Sequence, residues 1–151
     1  MKNVFFIVAL VWSFFASGQN AILVPPENIT ASFDKQHPKI KPVWSMEYSN
    51  NLNEDVKFIA NFFINKTKVL EVYDSAGNLK ANKAAILLNK LPLTARNYLK
   101  QNYPSKSYSS IKLVTDDKNS SSYEVEAKKE GKIYYVNFDK DGNYIGRTRI
   151  G

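Results

Sequence analysis

One motif occurs twice and constrains everything around it. The run Val69-Leu-Glu-Val-Tyr73-Asp74-Ser-Ala-Gly77-Asn78-Leu79 returns near the end of the chain as Tyr134-Tyr-Val-Asn-Phe138-Asp139-Lys-Asp-Gly142-Asn143-Tyr144. Each copy is a β-rich run closed by an aromatic residue, followed by Asp-x-x-Gly-Asn and a return to apolar residues. The Asp side chain can accept a hydrogen bond from the backbone two residues on, and the Gly supplies the positive φ that ends a type I turn in a hairpin. The pattern predicts a duplicated hairpin, which specifies an architecture and leaves the ligand open.

The elements around each hairpin also repeat. Val24-Pro25-Pro26-Glu27-Asn28 opens a helix, because proline suits the first turn and Glu27 favours the positive end of the helix dipole. Ile29, Phe33 and His37 then recur at i, i+4 and i+8, and Pro38 ends the helix. Leu91-Pro92 opens the same pattern again, with Ala95, Leu99 and Tyr103 in the three stripe positions and Pro104 as the stop. Strands follow each helix. In the first half Val43 to Tyr48 places Trp44, Met46 and Tyr48 on one face. Val56 to Ile64 places Phe58, Ala60 and Phe62 on one face and Ile59 and Phe63 on the other. In the second half Ile111, Leu113 and Thr115 alternate, and Tyr123, Val125 and Ala127 alternate against Ser122, Glu124 and Glu126. Asn50 to Asn53 and Asp116 to Ser122 read as polar turns, Asn65-Lys66-Thr67 and Glu130-Gly131-Lys132 as tight ones. For Lys80 to Lys90 composition favours a short helix and position in the repeat favours a strand; the expectation is a strand followed by a loop. Tyr144 to Ile150 is the equivalent last strand.

Each half thus reads helix followed by four strands, and two such units should bury their helices against one antiparallel sheet. The expected fold class is α+β, a tandem repeat of two helix-plus-four-stranded antiparallel sheet units. The expected divisions are 1–18 as a cleavable signal peptide, 19–85 as the first unit and 86–151 as the second, in one continuous two-lobed domain. Lys2, the apolar run Val4 to Phe15 and the small residues Ala16-Ser17-Gly18 carry the signal reading, with cleavage after Gly18. No stretch beyond it is long and apolar enough to span a bilayer.

Composition excludes several function classes. The chain holds no cysteine, so disulfide scaffolds, thiolate metal sites, thiol catalysis and a Cys-linked lipid anchor are out. Its single histidine rules out a multi-histidine metal site. The formal charge of +7 is scattered over the sequence, and nucleic-acid binding would want a basic stripe with interleaved aromatics. Asn137-Phe-Asp139-Lys-Asp141-Gly142 fits the opening of a calcium loop, but Thr148 stands where a bidentate Glu is needed, so the hairpin reading prevails. His37 reads as the amphipathic last turn of a helix, since Tyr103 holds the same place in the other half. Glu124 and Glu126 lie two apart beside Lys128 and read as part of a solvated sheet face. No phosphate-binding loop or nucleophile elbow appears.

The proline-opened helix ending in Pro, the Trp- or Ile-containing strand and the hairpin closed by Phe/Tyr-Asp-x-x-Gly-Asn together resemble the PepSY-like, beta-lactamase-inhibitor-like family of exported bacterial proteins. The resemblance runs from Val24 to Ile150. It implies a tandem-repeat α+β protein with an exposed sheet face and a role in binding or inhibiting another protein. No inhibitory contact residue of that family can be matched here position by position. Several strands carry apolar residues on both faces, and one face has to pack on the helices. The other holds Ile59, Phe63, Leu70, Ile133 and Tyr135, the candidate partner-binding face; it is either an exposed contact surface or is covered by loops, a second copy or the opposite unit. The expectation is a non-enzymatic binding module without a cofactor, periplasmic or secreted, whose partner is another exported or envelope protein. The alternative is a small-ligand carrier holding an apolar or metal-linked compound between sheet and helices.

Overall fold

The computed structural model describes residues 23–48, 56–104 and 106–150. The signal segment and the Asn50 to Asn53 turn lie outside the described residues. The element order is α1 (Glu27–Gln36), β1 (Val43–Tyr48), β2 (Val56–Ile64), β3 (Thr67–Tyr73), β4 (Leu79–Ala85), a 3-10 turn (Leu88–Lys90), α2 (Leu93–Asn102), β5 (Tyr108–Asp116), β6 (Ser121–Lys129), β7 (Lys132–Asp139) and β8 (Tyr144–Ile150). The strands form one eight-stranded sheet in sequence order, each pairing antiparallel with the next. The ambiguous segment is β4, and the loop expected after it contains the 3-10 turn.

Both helices begin behind a proline with matching backbone angles, Pro26 and Pro92, each at φ −51°. Ile29, Phe33, Ala95 and Leu99 are fully buried, and the next stripe positions, His37 and Tyr103, cap the helix ends by donating their N–H to Phe33 and Leu99. α1 packs on β2 and β3, and α2 on β6 and β7. The first core gathers Ile29 and Phe33 with Phe58, Ala60, Phe62, Val69 and Tyr73. The second gathers Ala95 and Leu99 with Val125, Ala127, Val136 and Phe138. Burying a large apolar side chain contributes about 1.5 to 3 kcal/mol, so these two clusters are the main source of stability in a chain without disulfides.

The repeated hairpins close in the same way. Asp74 Oδ1 accepts hydrogen bonds from the N–H of Ala76 at 3.0 Å and of Asn78 at 2.8 Å, and Asn78 Nδ2 donates to Oδ2 at 3.0 Å. Asp139 makes the equivalent bonds to Asp141, Asn143 and the Asn143 side chain at 2.9, 2.8 and 2.9 Å. The Asn side-chain bonds hold both carboxyls below their ordinary pKa range. Gly77 and Gly142 share φ +86°, and each tip is seated on the first turn of the helix of its own half. A Cβ added at Gly77 would lie 2.8 Å from the Asn28 carbonyl oxygen, and one at Gly142 would lie 2.6 Å from Pro92 Cβ. Asn28 Nδ2 adds a bond to the Ser75 carbonyl at 3.1 Å. Glycine is therefore required twice over, by the turn and by the contact. The β5–β6 turn uses the same Asp chemistry with Asn119 in the left-handed position: Asp116 Oδ1 accepts from Lys118 and Ser120 at 2.9 and 2.8 Å.

One feature separates the halves. Glu71 of β3 is buried on the helix side, with His37 Nε2 at 2.9 Å from Oε1, the Tyr73 hydroxyl donating to Oε2 at 2.6 Å and Asn82 Nδ2 donating to Oε1 at 3.3 Å. Burial, and then the bond to Glu71, pushes the Tyr73 hydroxyl pKa up. His37 is thus more than an amphipathic helix end: it gives a buried carboxyl group a hydrogen-bond partner that it would be costly to lack. The corresponding residues of the second half, Tyr103, Val136 and Phe138, belong to its apolar core.

Two stability measurements follow from this packing. Gly142→Ala is expected to cost roughly 3 kcal/mol through strain and overpacking, against about 1 to 2 kcal/mol for Gly131→Ala, whose added Cβ meets nothing within 4 Å at a similar φ of +75°. Equal losses in urea unfolding would contradict the contact role. His37→Ala is expected to cost roughly 2 to 3 kcal/mol by leaving Glu71 short of a partner. The triple change His37→Tyr, Glu71→Val and Tyr73→Phe, which installs the residues of the second half, should cost less; a triple variant less stable than the single one would refute the equivalence of these positions.

Candidate functional site

With both helices on one side, the alternation of every strand puts a second set of residues on the other. Ile59 pairs with Val72, and Val72 with Ala81, across β2, β3 and β4; Lys112 pairs with Glu124 across β5 and β6. These residues line one open cavity of about 310 Å³ that reaches from Glu47 on β1 to Tyr135 on β7. Strands lie about 4.8 Å apart, so in a flat sheet β1 and β7 would be separated by about 29 Å. A shared cavity of this volume requires the sheet to bend toward its helix-free side, and the site is the resulting trough.

Apolar side chains form one part of the lining and a charge cluster the other. Ile59, Leu70, Val72 and Ala81 come from the central strands of the first half. Beside them Glu124 accepts from Lys83 Nζ at 2.7 Å and from Lys112 Nζ at 3.0 Å. Lys112 also stands over the Tyr135 ring, 5.2 Å from its centroid. Glu124 is only 7% exposed, which corrects the expectation of a solvated carboxylate. The reason is the curvature, which lowers the middle of the sheet into the trough, and no local pattern carries it. Burial pushes the Glu124 pKa up, but Lys83 and Lys112 outweigh it and hold the carboxyl below its ordinary range. With both oxygens engaged by ammonium groups, Glu124 is a structural anion and a poor proton donor at neutral pH. The Tyr135 hydroxyl pKa is raised, first by burial and then by Glu124.

Of the five residues expected to form a contact face, Ile59, Leu70 and Tyr135 come together in the trough. Ile133 lies in a separate recess of about 330 Å³ with Glu126, Lys128 and Tyr108. Phe63 is 65% exposed near the far end of β2, opposite Lys68. The five do not form one continuous apolar patch, because Lys83, Lys112 and Glu124 stand among them. Glu124 and Glu126 also part company: Ser109 Oγ donates to Glu126 at 2.5 Å in the second recess. Sequence reading missed Lys83 and Lys112; their period-two spacing on one face with Ala81, Ala85 and Val114 was the available signal. Among the described residues no group of three or more His, Cys, Asp or Glu is placed to hold a metal ion, and no helix is long and apolar enough to cross a membrane.

No family model matches the sequence, and no curated protein matches it. Solved structures do resemble the fold. A DUF2874 family protein from Bacteroides uniformis superimposes with a TM-score of 0.61 at 16% identity, covering 83% of this chain and 90% of that one. A proposed periplasmic protein from Bacteroides eggerthii gives 0.63 at 12% identity, covering 85% and 91%. A BLIP-like protein from Bacteroides fragilis gives 0.56 at 14% identity, covering 86% and 89%. At these identities the likeness establishes the fold alone: an α+β, beta-lactamase-inhibitor-like arrangement of two helices on an eight-stranded antiparallel sheet.

Proposed function

We propose that this chain is an exported, non-enzymatic binding module that docks another envelope protein in the trough on the helix-free face of its sheet. The observation that carries this reading is the trough itself, in which seven strands contribute to one concavity on the face that the helices leave open. Ile59, Leu70 and Tyr135 are its apolar and aromatic anchors, and the charged Lys83, Lys112 and Glu124 stand beside them. Ile133 and Phe63 extend the same face beyond the trough. The helix side has a recess of about 410 Å³ lined by Leu87, Leu88, Asn89 and Arg96, but it draws on the segment before α2 and on α2 alone, whereas the trough draws on seven strands.

Export to the periplasm or beyond is part of the proposal, supported by the signal-like residues 1–18 and by the periplasmic setting proposed for the similar protein from Bacteroides eggerthii. So is the descent of residues 19–85 and 86–151 from one duplicated, PepSY-like unit. Matching prolines, stripe positions, hairpin bonds and strand bulges at Val72/Tyr73 and Asn137/Phe138 support it.

Affinity capture from an envelope extract tests the contact face. Leu70→Ala and Tyr135→Ala should each reduce recovery of the partner at least about tenfold. Leu93→Ala, an exposed position on α2, should leave recovery unchanged. Equal recovery by all four proteins would overturn the reading.

A further inference from the structure

Lysines outnumber glutamates in the trough. Lys57, Lys80, Lys83 and Lys112 line it with Glu47 and Glu124. Lys80 is paired with Asp117 outside the trough, and Lys57 faces Glu47 across the β1–β2 register. What remains is Lys83 and Lys112 sharing Glu124, two cations on one anion. We propose that this surplus positive charge is an acceptor for a carboxylate of the partner, so that the trough takes an acidic peptide segment carrying Asp or Glu beside an aromatic or large aliphatic residue. This inference rests on the reading of the trough as the contact face.

Three features support the assignment. The side chains of Lys83 and Lys112 are only 25% and 12% exposed, so their charge is incompletely hydrated and an incoming carboxylate interacts with it more strongly than on an open surface. Each ammonium has three N–H donors, and Glu124 accepts one from each, which leaves donors for a second anion. Next to the cluster stand Ile59, Leu70 and the Tyr135 ring, so the neighbour of the acidic residue would meet apolar surface. The net charge of +7, which becomes +6 once Lys2 leaves with residues 1–18, also steers acidic partners toward the chain and quickens their association. A peptide suits the shape better than a small amphiphile. The trough is open and runs across seven strands, whereas pockets for small ligands enclose most of the ligand surface.

The probe is a phage library of disulfide-closed loops of seven random residues, selected on the immobilised full chain. Recovered loops are then measured by fluorescence polarisation against the wild type, Lys112→Met, Lys112→Arg and Tyr135→Ala. Expected are loops enriched in Asp or Glu beside an aromatic or aliphatic residue, binding that falls on Tyr135→Ala and with added salt, and a loss of at least about tenfold on Lys112→Met that Lys112→Arg restores. Thermal unfolding reports whether Lys112→Met is folded; Asp→Asn changes in the loops test the same contact from the other side and should also cost about tenfold. Loops that need Tyr135 but show no acidic enrichment and tolerate Asp→Asn would overturn the carboxylate acceptor and leave the contact face standing. Failure to recover loops, or loops indifferent to Tyr135→Ala, would overturn both. Decanoate binding that depends on Lys112 while no acidic loop binds would assign the site to a small amphiphile and refute the peptide proposal.

Discussion

The seating of each Asp-x-x-Gly-Asn tip on the first turn of its helix is the contact on which the rest of the structure depends. Gly77 against Asn28, and Gly142 against Pro92 and Ala95, allow approaches that no side chain would permit. Each contact ties the β3–β4 or β7–β8 turn to the start of α1 or α2, so both helices lie on one side of the sheet. Ile29 and Phe33 are thereby delivered onto the alternating residues of β2 and β3, and Ala95 and Leu99 onto those of β6 and β7. Among the described residues the opposite side has no helix, and bending toward that side brings β1 and β7 to the edges of one cavity.

The two halves solve the same packing problem with different chemistry. In the second, Tyr103, Val136 and Phe138 complete an apolar core. In the first, His37, Glu71 and Tyr73 build a hydrogen-bonded network at the matching places. Buried polar groups of this kind add little net stability compared with an apolar isostere, and removing one member is expensive. The trough contains a second such arrangement, in which Glu124 lies between Lys83 and Lys112. There the surplus is cationic and faces an open cavity, which makes it available to a partner in a way that the Glu71 network is not.

Much of the fold was legible because its signals are local. Proline at the helix start, stripes at i, i+4 and i+8, period-two strands and the Asp-Gly turns depend on neighbours within a few residues, and they place both helices and all eight strands. Parity also assigned Ile59, Leu70 and Tyr135 to the side away from Phe58 and Val136. Three things were not legible, each for a physical reason. Glu71 meets His37 across 34 positions, and Glu124 meets Lys83 across 41; the local pattern gives each residue a face but does not name its partner. Alternation states which face a residue occupies but not how far the sheet bends, so Glu124 read as solvated when it is buried. For the same reason the five-residue face read as continuous, although Ile133 and Phe63 lie outside the trough.

The trough exists only if the sheet bends, and a chain without native cysteine permits a clean measurement of that bend. Spin labels are attached to paired cysteines at Glu47 and Tyr135, on the trough side of β1 and β7, and at Met46 and Tyr134, their neighbours on the helix side. Pulsed dipolar spectroscopy then reads both separations. A curved sheet gives a trough-side distance well below the roughly 29 Å of a flat one and shorter than the helix-side distance; equal distances near that value would contradict the trough and the function proposed for it.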